Sequence, residues 1–480
     1  MRHRNKDVPI FFPFSHAPPA KLRRCGIARY TAAFPRFPAL PIMTITPEQR
    51  GHARDLLDFI DQSPSPWHAV SAMEQRLAAQ GFLKLDEGAD WRLAPGDPRY
   101  VVRGGSSLIA FRVGDGMLAR DGFRVLGAHT DSPGLRLKPK APHRAESMLR
   151  LGVEVYGGPI LATFSDRDLS LAGRLCLRGA VSVETRLVRF EQALARLPNL
   201  AIHMNRTVND EGLKLHKQLE LPLLLAALEA GDTPEAKFLG LLATQAGCAP
   251  EDILSFELCA YDTQPGAFWG ADQEFIAASR IDNLSSCHAG LSALLAAQPG
   301  ASTAVAAFFD HEEIGSESCK GAQGGFLQDI LERIAHSLDA GTEGYKRALA
   351  NGFLVSADAA HAHHPNFPNA YEPAHAIRMN AGPAIKLNSN QRYATDSLAE
   401  ARFMRLCERA GVPWQKYAHR TDLACGSTIG PMTSARLGLA AVDCGCPTWA
   451  MHSIRESAGA LDPSWFAAAL REFFSVPDLS

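Results

Sequence analysis

The chain has little of what would tie it to nucleic acid, a membrane or an oxidising compartment. Its 49 Lys and Arg are offset by 51 Asp and Glu, leaving a formal net charge of −2. Without a basic excess, no polyphosphate partner is expected, and nucleic acid is set aside as a ligand. No run of 18 or more apolar residues is present, so no membrane partner is expected. The ten cysteines, at 25, 176, 248, 259, 287, 319, 407, 425, 444 and 446, show no regular disulfide spacing. Several lie in apolar or helical stretches, as reduced buried thiols do, so the expected compartment is the cytoplasm. Cys444 and Cys446 lack a second thiol pair and read as packing rather than as a soft-metal site. With 46% hydrophobic residues over 480 positions, the chain is long enough for two or three domains.

Acid is nearly missing from residues 1–42, where Asp7 stands against Arg2, Arg4, Lys6, Lys21, Arg23, Arg24, Arg29 and Arg36. Prolines and phenylalanines interrupt this segment, and no continuous apolar core marks a secretory signal. A basic targeting segment and a translation start at Met43 both remain open. In either case a disordered, dispensable tail is expected. From Thr46 the order Thr-Pro-Glu-Gln reads as an N-cap, a first-turn proline and helix-favouring residues.

What is present is a set of apolar runs that end in metal-capable residues. The run 304–309 leads into Asp310-His311-Glu312-Glu313-Ile314-Gly315-Ser316. Two adjacent carboxylates at the end of a buried strand are costly alone, because desolvation disfavours their charge. A divalent metal removes that cost: one acid ligates it and the other takes a proton from metal-bound water. A solvated turn with helix-capping acids is the plainer alternative for a bare Glu-Glu pair.

The partners reverse those odds. His129 and Asp131 follow the run 124–128 two residues apart, on one side of an extended chain. This spacing suits a histidine ligand with a carboxylate that sets its tautomer. Asp282 precedes a small-residue helical stretch at 285–297, where it either caps the helix or bridges two metals. The run 353–357 ends at Asp358, with His361, His363 and His364 just beyond as loop or pocket residues. A fourth run, 439–444, precedes His452, with Arg455 and Glu456 placed to order its loop.

Strand ends that carry such residues imply an open α/β sheet with its site outside the carboxyl ends of the strands. Two His, two Asp and one Glu, with a second Glu left over, suit two zinc-like ions about 3.5–4 Å apart. One zinc would need only three of them. Manganese or cobalt would also accept this donor set.

Between about 136 and 270 the texture changes to short alternating segments at 149–156, 169–177 and 181–190, read as strands. Within this span, 209–221 reads as loop and 223–230 as a short helix. Beyond 271, βα alternation returns, with helices expected at 401–410 and 429–437. The Gly-rich segment 425–430 is a candidate grip on a substrate carbonyl or terminus.

Taken in order, HTDSP (129–133), SRIDN (279–283), DHEEIGS (310–316), SADAAHA (356–362), NSNQRYATD (388–396), CGSTIGP (425–431) and AMHSIRE (450–456) resemble the aspartyl aminopeptidase family of binuclear zinc metallopeptidases. The resemblance spans roughly residues 45–475. It implies that His129, Asp282, Glu313, Asp358 and His452 hold two zinc ions, with Asp282 bridging. It further implies that Glu312 is the general base and that Asp131 orients His129.

By the same resemblance, Lys386 meets the acidic side chain of the substrate. His203 reaches a neighbouring subunit's active site, although an edge-strand histidine is an equal reading. The implied fold is α/β, an open mixed sheet with helices on both faces. Residues 43–135 and 271–480 would be catalytic, and 136–270 an inserted, mostly β dimerisation domain of a tetrahedral dodecamer. The segment 366–375 lacks the charged run of eukaryotic members, which leaves fine specificity open.

The expected activity is removal of N-terminal Asp or Glu from peptides, by a bridging water on two divalent metals. The rivals are an aminopeptidase for apolar residues, a metal-dependent deacylase and a non-catalytic metal scaffold. A thiol hydrolase through Cys319 leaves the five metal-capable positions unexplained.

Overall fold

The computed structural model describes residues 45–476. The basic segment 1–42, and every expectation placed on it, lies outside them. The apolar runs form the middle of a nine-stranded sheet. Its order is Leu83–Lys84, Pro98–Arg103, Ser107–Arg112, Thr303–Phe309, Phe123–His129, Phe353–Ala357, Ala440–Gly445, Ala384–Leu387 and Gln415–Ala418. The four strands from Thr303–Phe309 to Ala440–Gly445 are mutually parallel, so their carboxyl ends share one edge. The strands next to them on either side, Ser107–Arg112 and Ala384–Leu387, run antiparallel to them, which makes the sheet mixed.

The continuous apolar sequence of these strands has a simple cause, since both of their faces are covered. Ala304, Ala306 and Phe308 pack into one core with helices Pro47–Asp61, Ile281–Ala296 and Asp462–Ser475. Val305, Ala307 and Phe309 pack into a second core with helices Phe326–Ser337 and Gly341–Ala350. The period of two along one strand thus assigns alternate residues to opposite layers. Thr46 caps the first helix as a capping box with Gln49. The helices expected at 401–410 and 429–437 are Ser397–Ala410 and Ile429–Leu437.

The alternating segments form a separate six-stranded antiparallel sheet, ordered Val183–Arg189, Leu169–Arg178, Ile253–Asp262, Gly134–Ala145, Met148–Tyr156 and Leu223–Ala227. Its core is its own, built on Leu171, Leu175, Val188, Leu223 and Phe238. The helix expected at 223–230 is corrected here. Leu223–Ala227 is an edge strand that pairs with Met148–Tyr156, Leu223 opposite Leu151. A run of Leu and Ala favours helix locally, and tertiary pairing overrides it. A third sheet of five short strands was not foreseen. It joins Ala267–Trp269, Phe275–Ala278, Glu456–Gly459, Pro447–Trp449 and Ala360–His361. No helix among the described residues is long and apolar enough to cross a membrane.

Candidate metal centre

At the shared carboxyl edge, three groups of side chains converge. They are His129 with Asp282 and Asp358, His129 with Glu312 and Glu313, and Asp282 with Glu313 and His452. Within each group the donor atoms lie within 4.8 Å of one another. All five sequence-assigned ligands and Glu312 are therefore brought together.

Asp282 divides its carboxylate between the two histidines. Oδ1 lies 3.6 Å from His129 Nε2, and Oδ2 lies 3.5 Å from His452 Nε2. Asp358 Oδ1 is 3.5 Å from His129 Nε2, and Glu313 Oε1 is 3.4 Å from His452 Nε2. Asp282 does not serve as a simple helix cap, because it has non-helical backbone within Ile281–Ala296 and its buried Oδ1 accepts no hydrogen bond.

The other ring nitrogens fix the tautomers. His129 Nδ1 lies 3.0 Å from the carbonyl of Asp131, and His452 Nδ1 lies 3.1 Å from the carbonyl of Gly158. A carbonyl only accepts, so both Nδ1 atoms carry a proton, which leaves both Nε2 atoms directed at the carboxylates. The carboxylate of Asp131 has a second task. It accepts the backbone N–H of Glu312 and of Glu313, each at 3.2 Å, and the Tyr156 hydroxyl at 2.7 Å. Asp131 thus orients His129 mainly through its carbonyl and holds the Glu-Glu turn with its side chain.

That turn is built for a sharp exit from the sheet. His311 enters it at φ 69° and Gly315 leaves it at φ 100°. Asp310, fully buried, anchors its base by accepting from Ser106 at 2.6 Å and Lys320 at 3.0 Å. Positive φ recurs at Arg280 (58°) and at His452 itself (66°). Backbone strain of this kind persists where surrounding structure over-determines it, often at functional sites. Glu456, also buried, accepts the N–H of Asp282 at 2.9 Å and of His452 at 2.7 Å. It orders the His452 loop, whereas Arg455 turns away to the carbonyls of Gln264 and Pro265.

The electrostatics of the cluster favour a bound cation. Burial pushes Glu312 up to about 8, with the nearby Asp358, Asp131 and Asp282 charges adding to it. Burial and the Asp282 charge raise Glu313 well above the ordinary carboxylate range. Burial opposes charge on His129, yet Glu312, Asp131 and Asp358 outweigh it and hold its pKa well up. Glu313 Oε1, like Asp282 Oδ1, is buried without a hydrogen-bond partner. Orphaned carboxylate oxygens beside imidazole nitrogens suit divalent ions of the zinc type.

The two remaining assigned residues lie differently. Lys386 is fully buried beside the centre and donates to Asp358 Oδ2 at 2.9 Å and to the carbonyl of Ala359 at 3.1 Å. His203 is exposed in a turn, and the edge-strand reading of it is corrected. It belongs to none of the converging groups. His361 is on a short strand near Lys386, whereas His363 and His364 are in the following loop. The Gly-rich segment is anchored from below. Thr428 donates to Asp443 Oδ1 at 2.6 Å, and a Cβ on Gly430 would meet that carboxylate at 2.3 Å. Sequence reasoning missed Tyr156, Gly158 and Ser106, because each supports a residue far from it in the chain, and it missed Lys320, which lies ten residues from Asp310.

The aminopeptidase I zinc metalloprotease (M18) family profile matches residues 59–474 of this sequence. The chain belongs to the M18 family. A probable M18 family aminopeptidase 2 of Ectopseudomonas mendocina (strain ymp) is 47% identical, covering 88% of this chain and 98% of its own length. The protein of that name in Azotobacter vinelandii is 48% identical, covering 88% and 97%. Among solved structures, Ape4 in its complex with Nbr1 superposes with a TM-score of 0.87 at 35% identity, over 90% of this chain and 87% of that one. Chaetomium thermophilum mApe1 gives 0.81 at 32% identity, over 89% and 98%. The mixed α/β architecture is thus the M18 aminopeptidase fold, and the chain is a peptide hydrolase of that family.

Proposed function

We propose that this M18 aminopeptidase removes N-terminal Asp and Glu residues from peptides with two divalent metal ions, zinc by preference. The observation that carries the two-ion reading is the division of Asp282, one oxygen toward each histidine. His129 and Asp358 would hold one ion, His452 and Glu313 the other, and Asp282 both. Bound there, the ions polarise a scissile carbonyl and make water a better nucleophile.

Glu312 performs the proton transfer. It is the more exposed of the two adjacent glutamates, and its turn is clamped by Asp131. It takes the proton of the attacking water and passes it to the leaving amine. Asp131 keeps His129 in its ligating tautomer.

Lys386 supports the acidic preference. An ammonium has three N–H donors, and Lys386 uses two, on Asp358 and Ala359. In this reading a third N–H would serve a substrate carboxylate as a charge-assisted hydrogen bond. A specific observation favours the second reading, an apolar preference. Ala360, Ile377, Ala384, Tyr393 and Tyr417 form an apolar cluster close to Lys386.

The proposal extends to the whole molecule. Residues 136–270 would be an inserted oligomerisation domain, and His203 would act in a neighbouring subunit's site. Leu200, Ile202 and Met204 around His203 are 63%, 47% and 73% exposed, which supports a covered surface there. A related solved structure at 27% identity is the Saccharomyces cerevisiae mApe1 dodecamer, with a TM-score of 0.77 over 89% of this chain and 97% of that one.

The test is steady-state hydrolysis of Asp-, Glu-, Leu- and Ala-aminoacyl reporters by zinc-loaded protein, before and after chelation. Chelator-sensitive turnover greatest on Asp and Glu is expected. Turnover greatest on Leu or Ala would install the apolar reading, and none on any free amine would point to deacylation.

A further inference from the structure

One short segment of the inserted sheet touches the supports of both metal-ligand groups. It begins at Tyr156, the last residue of strand Met148–Tyr156, and runs through the turn Leu161–Phe164. The Tyr156 hydroxyl donates to Asp131 Oδ2 at 2.7 Å, in a buried position. Asp131 in turn fixes the His129 ring and the backbone of Glu312 and Glu313. Two residues on, the Gly158 carbonyl accepts from His452 Nδ1. The Ile160 N–H donates to the His452 carbonyl at 2.9 Å. Thr163 Oγ1 accepts the N–H of Ile454 at 3.0 Å. Gly157 packs so closely that a Cβ there would stand 3.2 Å from Glu313 Cβ. Arg136, from the neighbouring strand Gly134–Ala145, lies 3.5 Å over the Tyr156 ring and holds it flat.

We propose that this strand exit is a positioning device, in which Tyr156 and the 158–163 turn set the orientation of His129 and His452 and so couple the inserted sheet to the metal affinity of the site. The inference rests on the two-metal reading above. Its physical basis is that a ligating imidazole is aimed by the partner of its other nitrogen, and that loss of such a partner costs 10- to 100-fold in metal affinity or activity. Here the partner of His452 belongs to the inserted segment itself. The partner of His129 is held by that segment through one hydroxyl. A shift of the inserted sheet would therefore move both histidines together. Tyr156 and Thr163 are positioning residues, since neither reaches the converging donors directly.

The experiment uses the full-length chain, with zinc affinity read by competition against a chromophoric chelator. Tyr156→Phe keeps the ring and removes the hydroxyl, and a loss of zinc affinity of about 10-fold, the lower end of that range, is expected, with kcat lowered and KM unchanged. Thr163→Val, which strips the acceptor from Ile454, should weaken zinc binding from the His452 side and carries the test alone if Tyr156→Phe is recovered unfolded. Tyr261→Phe is the control. It removes a buried hydroxyl bond to the Phe190 carbonyl within the same sheet and should leave zinc affinity unchanged. Wild-type zinc affinity in both Tyr156→Phe and Thr163→Val would overturn the inference, as would equal zinc loss in Tyr261→Phe. Failure of the unaltered protein to take up zinc would instead remove the two-metal reading, and the inference with it.

Discussion

At the residue scale, the site depends on a difference between two adjacent glutamates. Glu313 has an orphaned, buried oxygen facing His452, whereas Glu312 lies toward His129 and is the more exposed of the two. Glu312→Gln keeps the shape and removes the base. Turnover should fall about 100- to 10,000-fold while zinc content stays at the wild-type level. Retained kcat with full zinc would transfer the base role elsewhere. Lys386 gives a second expectation. Replacement by Met should erase the preference for Asp and Glu over Leu in kcat/KM. Because Lys386 also orients Asp358 by donating to its Oδ2, the variant should have weakened zinc binding as well. An unchanged substrate ranking would separate Lys386 from specificity. Most of the converging residues were legible from residue type at strand ends. The commitment of Lys386 to Asp358 was not, since nothing local in Ala384–Leu387 marks its burial.

At the element scale, helices Pro47–Asp61 and Ile281–Ala296 meet through histidines. His52 and His288 lie with ring centroids 4.9 Å apart, and His288 Nε2 pairs with Asp55 at 2.7 Å. Burial, together with the charges of His288 and Arg76, depresses His52 to about 4, with Asp55 opposing. A histidine depressed in the folded state takes up its proton more readily when unfolded. Its neutral form therefore contributes stability above about pH 6.5 that is lost as pH falls toward 4. Asp462 has the opposite sign. Burial raises it to about 7, so its contribution is lost as pH rises through that value. Thermal melts between pH 7 and 4 should accordingly show a smaller acid-induced drop for His52→Gln than for the unaltered chain. Equal drops would show that His52 does not titrate across this interface. The helix itself was readable from its capping box, but its histidine contact was not. His52 and His288 are far apart in sequence, and no periodicity links them.

At the scale of the whole molecule, four carboxylates around two imidazoles would be stabilised by bound metal. Removing zinc by chelation should lower Tm along with activity. A ligand at 100 times its Kd stabilises by about 2.7 kcal/mol. An unchanged Tm on metal removal would mean that the carboxylates are satisfied without it. Assembly provides a second test. Replacing Ile202 and Met204 together with Ser should reduce the particle mass seen by light scattering and lower activity if His203 acts across subunits. Full-sized, fully active particles would place the subunit contact elsewhere.

The order of residues along the chain was enough to place the central sheet and the side chains that converge at its edge. Parallel strands buried on both faces must be continuously apolar, and their carboxyl ends must share an edge. An acid or histidine at each such end is therefore visible in one dimension. Only the tertiary structure decided three other features. It made Leu223–Ala227 a strand, because pairing with Met148–Tyr156 outweighs the helical preference of Leu and Ala. It assembled the third sheet from pieces as distant as Ala267–Trp269 and Glu456–Gly459. It also brought Tyr156 under Asp131 and Gly158 beside His452. Such hydrogen bonds join residues by shape and direction after folding, and local composition and spacing do not encode them.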